Sequence, residues 1–230
     1  MVVSLLNLTK SQRMKGMLYS MVKRTFDIIV AAVGLLLCLP FFVLTAVAIK
    51  IDSSGPVFYR GVRAGRLGKS FRIFKFRTML PDMEKSGGDT TALNDPRITR
   101  IGSFLRKYKI DEMPQLINVI KGDMSIVGPR PELFAYTVQY SDEEKCILDV
   151  RPGITDLSSI RFHSLDQCVG TSNVDNIFEE HILPEKNRLR VKYVKERSFW
   201  LDIRIILLTA KVILLRILKS ARTRYDGELK

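Results

Sequence analysis

Twenty-two consecutive residues, Ile28 to Ile49, carry no charge. As an α-helix such a run measures about 33 Å, enough to cross the hydrocarbon core of a bilayer. It is too long for a cleavable signal peptide, and no small-residue cleavage site follows it. Both of its flanks are basic. Lys10, Arg13, Lys15, Lys23 and Arg24 precede it, with no acid until Asp27. Lys50, Arg60, Arg63, Arg66, Lys69, Arg72, Lys75 and Arg77 follow it, opposed only by Asp52. Cationic flanks stay on the cytoplasmic side, so a spanning helix would misplace one of them. Pro40, near the middle, removes an intrahelical hydrogen bond and favours a kink. The run therefore reads as a helix-break-helix hairpin that enters and leaves on one face. Asp27, at the membrane edge, would be costly unpaired; Lys23 and Arg24 are its helical partners.

A second stretch, Arg106 to Glu132, concentrates chemistry: RKYKIDEMPQLINVIKGDMSIVGPRPE. The adjacent acids Asp111 and Glu112 precede Pro114 and an amphipathic run that Gly122 ends. That places the pair at a helix N-terminus, where unpaired N–H groups and the dipole favour negative charge. Arg106, Lys107 and Lys109 lie just upstream. Carboxylates, cations and free amides in one place suit phosphoryl chemistry. An acid at a helix start is most often only a cap, and the Pro129-Arg130-Pro131 turn is ordinary as a rigid bend.

The formal charge is +13, which points to anionic partners: phosphorylated substrates, anionic lipid or nucleic acid. Cys38, Cys146 and Cys168 have no metal-like spacing, and there are only two histidines, His163 and His181. A zinc site and a disulfide scaffold are both disfavoured. Val57–Arg63 and Phe71–Arg77 are rich in β-formers around the glycine-bearing segment Ala64–Lys69, which predicts a hairpin. Met83–Asn94 reads as a polar, mobile loop. Ile98–Lys109, Phe134–Asp149 and Asp175–Lys195 read as helical, with a turn at Arg151-Pro152-Gly153-Ile154. Ser198–Lys219 is apolar but carries Asp202, Arg204, Lys211, Arg216 and Lys219 within about half a helical circumference. With Phe199 and Trp200 at its start, it reads as an amphipathic helix on a membrane surface.

FRIFKFRTM, DPRITRIGSFLR, IDEMPQLINVIKGDMSIVGPRPE, RPGIT and SFWLDIRII, in that order behind a basic-flanked apolar hairpin, resemble the bacterial sugar transferases of the small monotopic phosphoglycosyl transferase type. The resemblance covers Lys23 to Leu215. It implies an α+β, mostly helical, membrane-associated monotopic fold. Residues 1–22 would be an extension, 23–51 the re-entrant hairpin, 52–197 the catalytic part, and 198–230 the membrane-surface helix and basic tail. It implies transfer of a sugar 1-phosphate from a nucleotide sugar to polyprenyl phosphate at the cytoplasmic face of the inner membrane, with magnesium (Mg2+). By resemblance Asp111 is the nucleophile. Glu112 would be a metal or substrate ligand or a base, and both acids are candidate metal ligands. Arg106, Pro129, Arg130 and Pro131 would bind the phosphate or nucleotide, with Lys75 and Arg77 as weaker candidates. Lys23, Arg24, Asp27 and Pro40 would build the hairpin. Inner-membrane lipids and downstream glycosyltransferases are the partners this implies; homo-oligomerisation stays open. Many relatives carry Gly after the RPGIT segment and a Trp-containing sequence beyond it, where this chain reads Asp156-Leu157-Ser158-Ser159-Ile160, which touches sugar identity; relatives often have Gln where this chain has Gly61, which touches substrate contacts. A membrane-surface adaptor and a nucleic-acid binder are the competing classes. The intact acid pair argues against the first and the apolar hairpin against the second.

Overall fold

The computed structural model describes residues 10–81, 95–163 and 174–228. Within them the protein is mostly helical, with three two-stranded β-pairs. Helix α1, Lys10–Asp52, contains the whole uncharged run. The break expected at Pro40 is absent: the helix passes through it. A proline costs a helix one hydrogen bond and one steric clash, and a long helix absorbs that as a local adjustment. α1 is long and apolar enough to cross a membrane.

Both ends of the run are nevertheless tied to one body. At the first end, Asp27 Oδ2 accepts from Ser125 Oγ (2.7 Å) and its Oδ1 from Ile126 N–H (3.2 Å). Lys23 Nζ lies 3.6 Å from Asp27, as its spacing predicts, but closer to Asp202, at 3.0 Å. Arg24 departs from that expectation. Its guanidinium donates to the carbonyls of Val119 (2.8 Å) and Ile120 (3.1 Å). Those carbonyls belong to the last turn of a helix, where acceptor capacity is left over, and a guanidinium fits them better than a carboxylate already served by three donors. At the far end Ile49 packs with Phe76 and Leu105, and Asp52 Oδ2 accepts from Ile101 N–H (3.0 Å). Between the two ends Leu36, Leu37, Leu39, Phe41, Val43 and Leu44 are all largely exposed.

The predicted hairpin is present. Strands β1 (Phe58–Tyr59) and β4 (Lys75–Phe76) pair antiparallel, as do β2 (Val62–Ala64) and β3 (Ser70–Arg72). A 3-10 turn, Arg66–Gly68, joins them. Helix α2 runs Arg100–Lys107, capped by Thr99, whose side chain accepts from Gly102 N–H. Helix α3, Gln115–Lys121, ends at Gly122 in the left-handed region (φ +93), which spares glycine the usual strain.

Strand β5, Ser125–Val127, pairs in parallel with β6, Gly153–Thr155. Sequence reasoning read Arg151–Ile154 as a turn; its second half is this strand. The segment expected to be helical from Phe134 to Asp149 splits into α4 (Phe134–Thr137) and a 3-10 turn, Glu144–Asp149. Helix α5 is Leu157–Arg161. Helix α6 (Val174–Ile177), a π-turn (Phe178–Ile182) and α7 (Leu183–Glu196) follow one another without interruption, where one helix was expected. The Met83–Asn94 loop lies outside the described residues.

Helix α8, Phe199–Glu228, is longer than predicted. Asp202 is not on its outer face. It is 2 % exposed and holds Lys23, the Tyr19 hydroxyl (3.0 Å) and the Tyr193 hydroxyl (2.7 Å). Angular spacing locates a residue on the circumference but does not reveal that the core offers it partners. The exposed side mixes Trp200, Leu207 and Leu214 with Arg204 and Lys211. One core joins these elements through Ala31, Ile73, Val119, Met124, Val127, Tyr193 and Ile205.

Candidate active site

The acid pair sits on a forced turn. Lys109 adopts the left-handed conformation (φ 59°), ending α2, and Ile110–Glu112 then forms a 3-10 turn. Pro114, the residue before α3, needs no N–H partner there. The capping role open to Asp111 is not taken, because no side chain caps α3. Asp111 and Glu112 are instead 7 % and 9 % exposed, side by side, with very different surroundings.

Glu112 is clamped. Arg130 Nη1 donates to its Oε2 (3.0 Å), and Nη2 makes a shorter bond to Oε1. Lys75 Nζ donates to Oε1 at 3.2 Å. Burial pushes this carboxyl up, but Arg130, Lys75 and Lys109 outweigh it and hold Glu112 well below the usual carboxylate range. The same pair raises Arg130. Lys75 is lowered by burial, against the pull of Glu112.

Asp111 is left open. Its Oδ1 is buried with no hydrogen-bond partner among the described residues. Burial first, then the Glu112 charge, raises its carboxyl, against Lys75, Lys109 and Arg106. Arg106, in the last turn of α2, thus acts on Asp111 through its field. Gln115, one helical turn on, is fully buried, and its amide oxygen and nitrogen also lack partners there.

A rigid loop aims Arg130. Gly128 N–H donates to Thr155 O (3.1 Å) and Gly153 N–H to Pro129 O (2.9 Å). A Cβ on Gly153 would stand 2.1 Å from Gly128 N, so only glycine permits this approach. Arg130 N–H donates to Asp156 Oδ2 at 3.2 Å. Asp156 also caps α5 by accepting from Ser159 N–H (2.6 Å), and it accepts from the Ser158 hydroxyl (2.7 Å). Below lies Arg190, fully buried, 2.5 Å from Glu132 and 3.8 Å from Asp156, with Lys186 3.5 Å from Glu132. Glu132 is lowered to about 2: Arg190 and Lys186 outweigh its burial.

The structure thus brings Asp111, Glu112, Lys75 and Arg130 together, with Pro129 and Pro131 buried on either side of the arginine. It does not bring Arg77 to them. Arg77 donates to Ser53 O (2.7 Å) and Oγ (2.9 Å), tying down the end of α1. Sequence reasoning missed Asp156, Lys186 and Arg190. The i, i+4 spacing of Lys186 and Arg190 marks one helix face, yet nothing in it says that the face is buried. Of the two acids, only Asp111 has an unengaged oxygen for a metal, since Glu112 is occupied by cations. Mg2+ commonly takes one or two carboxylates and completes its shell with water and substrate phosphates, and Asp111 fits that pattern.

Residues 18–216 match the family model described as bacterial sugar transferase. The galactosyl transferase CpsE of Streptococcus agalactiae is 41% identical over 204 residues, 84% of this chain and 42% of that protein. A UDP-N-acetylgalactosamine-undecaprenyl-phosphate N-acetylgalactosaminephosphotransferase of Aeromonas hydrophila is 36% identical over 200 residues, 86% of this chain and 44% of that protein. The UDP-glucose:undecaprenyl-phosphate glucose-1-phosphate transferase of Escherichia coli is 38% identical over 193 residues, 82% and 39% respectively. The chain therefore spans roughly two fifths of the length of these curated relatives. A match across most of the chain, including the acid pair, the Pro-Arg-Pro loop and α1 from residue 18 on, makes this protein a member of the bacterial sugar transferase family.

Proposed function

We propose that this protein transfers a sugar 1-phosphate from a nucleoside diphosphate sugar, uridine being the expected base, to polyprenyl phosphate, the first step of building a bacterial surface glycan. One observation carries the reading. Two adjacent buried acids are held in opposite states, Glu112 locked by Arg130 and Lys75 and Asp111 left with a buried, unpartnered oxygen. A nucleophile needs a free oxygen, and its neighbour needs its charge neutralised.

In the first step an Asp111 oxygen attacks the sugar-proximal phosphorus. A bond forms from that oxygen to phosphorus, the bond to the nucleoside monophosphate breaks, and the monophosphate leaves with the electron pair. In the second step an oxygen of polyprenyl phosphate attacks the same phosphorus and Asp111 is released as carboxylate. Arg130 and Lys75 face the transferring phosphoryl group and offset its charge. A carboxyl held as low as Glu112 is a weak base, so its part is to position these two cations. Asp111 would hold Mg2+ together with substrate phosphates, and the ion would supply further charge neutralisation there.

The membrane reading follows from α1. Its apolar middle faces outward while both ends dock on one body, so an unbroken helix that dips into one leaflet without crossing the bilayer keeps both basic flanks on the cytoplasmic face. That arrangement brings a soluble donor and a lipid acceptor to the same acid pair.

The test is release of nucleoside monophosphate from a panel of nucleotide sugars with polyprenyl phosphate and magnesium, beside intact-mass analysis without the acceptor. The expected result is lipid-dependent release from one donor and a phosphosugar adduct on Asp111. Substantial turnover by Asp111→Asn would sink the nucleophile assignment. No release from any donor, with the protein folded and membrane-bound, would favour the adaptor reading.

A further inference from the structure

A cavity of about 110 Å³ lies against the first turns of α1, away from the acid pair. A void of roughly 10–15 Å³ admits one water, so this one has room for a phosphate group. Five cations line it: Lys23, Arg24, Arg66, Arg151 and Arg197. The lining carboxylates are Asp27 and Asp149. Asp27 is already committed to Ser125, Ile126 and Lys23. Lys23 is committed to Asp202 as well. The four guanidiniums keep spare donors. Among the described residues, Arg24 spends Nη1 and Nη2 on α3 carbonyls, Arg151 only Nε on Gly122 O (2.9 Å), and Arg66 only Nε on Asp149 O (3.0 Å). Burial lowers Arg151, and the charges of Arg24 and Arg66 lower it further, against the opposing charge of Asp27.

The position of the cavity identifies the occupant. Its α1 wall, Gly16 to Asp27, ends where the apolar run begins with the outward-facing Ile28 and Ile29. Arg197 lies two residues before α8, whose Trp200 is 79 % exposed at the same margin. A polar, cationic hollow between two elements that present apolar side chains outward sits where lipid headgroups lie. It is not the catalytic site: Asp111, Glu112, Lys75 and Arg130 do not line it. Arg24 and Arg151 join it to the C-terminal end of α3, whereas the acids precede that helix's N-terminal end.

We propose that this cavity binds the phosphate headgroup of an anionic membrane lipid, at a site separate from the catalytic acids. It rests on the membrane reading above but not on the transfer chemistry. A bound phosphate would neutralise the cluster and bridge α1, the hairpin tip at Arg66 and the start of α8, fixing how the body meets the membrane.

The experiment uses the full chain in nanodiscs and measures binding and thermal stabilisation by phosphatidylglycerol in a phosphatidylcholine background, with inorganic phosphate as a separate arm. The double variant Arg66→Gln/Arg197→Gln removes two exposed cavity cations without touching the α3 caps. Arg204→Gln/Lys211→Gln removes the same charge from the exposed face of α8. Phosphatidylglycerol is expected to stabilise the parent, with the cavity pair weakening its binding about tenfold and the α8 pair far less. Equal weakening by both pairs would mean diffuse surface attraction and overturn the site. So would a parent that does not prefer phosphatidylglycerol to phosphatidylcholine. Stabilisation by inorganic phosphate alone would overturn the lipid assignment in favour of a soluble anion. Because the readout is lipid binding, a failure of sugar-phosphate transfer leaves it standing, and the reverse also holds.

Discussion

Replacing Asp156 by asparagine tests how Arg130 is aimed. The carboxylate accepts from three donors, Ser159 N–H on Oδ1 and Arg130 N–H and the Ser158 hydroxyl on Oδ2, and Oδ2 also lies 3.8 Å from the Arg190 guanidinium as an ion pair. Asparagine offers one oxygen. If that oxygen keeps the α5 cap, its amide NH2 faces the other two donors and the Arg190 guanidinium. The Ser158 hydroxyl can rotate and accept, but Arg130 N–H and Arg190 Nε cannot. One backbone donor then loses its acceptor, at about 1–3 kcal/mol. Arg190 loses its second carboxylate but keeps Glu132 at 2.5 Å, so the full penalty of an uncompensated buried charge does not apply. The sum is about 2–4 kcal/mol. In a chain of this length that is a fall in Tm of roughly 5–15 °C. Below the transition, the displaced Arg130 loop should cost about 10–100-fold in turnover. Thermal unfolding and monophosphate release read the two effects, and Asp156→Ala should add the loss of the cap, about 1 kcal/mol. An Asp156→Asn protein that matches the parent in both would show that the loop is held by something other than this carboxylate.

Lys23→Met leaves Asp27 and Asp202 buried without their shared cation, and should cost about 3 kcal/mol in unfolding experiments, with partial recovery in Lys23→Met/Asp202→Asn. Gly153→Ala drives a methyl into the Gly128 backbone and should destabilise by about 3 kcal/mol or more, displacing the Pro-Arg-Pro loop; a neutral outcome would contradict the close approach of β5 and β6. Activity should fall as pH drops through the Asp111 pKa, which burial and Glu112 place above the ordinary carboxylate range. In pH–rate profiles Glu112→Gln removes the like charge and should move that acidic limb to lower pH, whereas Lys75→Met removes an opposing cation and should move it higher. Shifts in the same direction would rule out this electrostatic account.

The elements that the sequence made legible are those defined by local pattern. The uncharged run from Ile28 to Ile49, the β-formers on either side of Ala64–Lys69 and the Gly122 stop each follow from neighbours a few residues apart. Partner choice was not legible. Lys23 and Arg24 looked equivalent beside Asp27, but Arg24 faces the end of α3, nearly a hundred residues away in sequence. Asp202 read as part of a wet face because no local pattern predicts two tyrosine hydroxyls and a lysine waiting inside. Lys75 and Arg77 share one short segment, two residues apart, a spacing that would put them on one face of a strand. Both nonetheless find partners, one at Ser53 and the other at Glu112, and only the fold tells a structural tie from a site contact. The parallel pairing of Ser125–Val127 with Gly153–Thr155 was hidden because parallel strands need a long connection and leave no turn signature.

The acid pair shows why adjacency in the sequence carries more than a motif. Two carboxylates in one buried turn repel each other, and burial alone would favour protonating both. The turn becomes useful only because the strand β4 and the Pro-Arg-Pro loop send two cations to one of the two acids. Arg130 meets Glu112 with both arms of its fork, a geometry a lysine could not reproduce. Asp156, backed by Arg190 and Glu132, holds the backbone of that arginine. The result is an asymmetry built entirely from neighbours: Glu112 is charged, saturated and immobile, while Asp111 is raised and unpartnered. In such an environment Asp111 suits attack on phosphorus and Glu112 suits holding the charges that the attack requires. In the proposed mechanism, the division of labour that the two adjacent letters in the sequence left open rests on which of them the fold clamps.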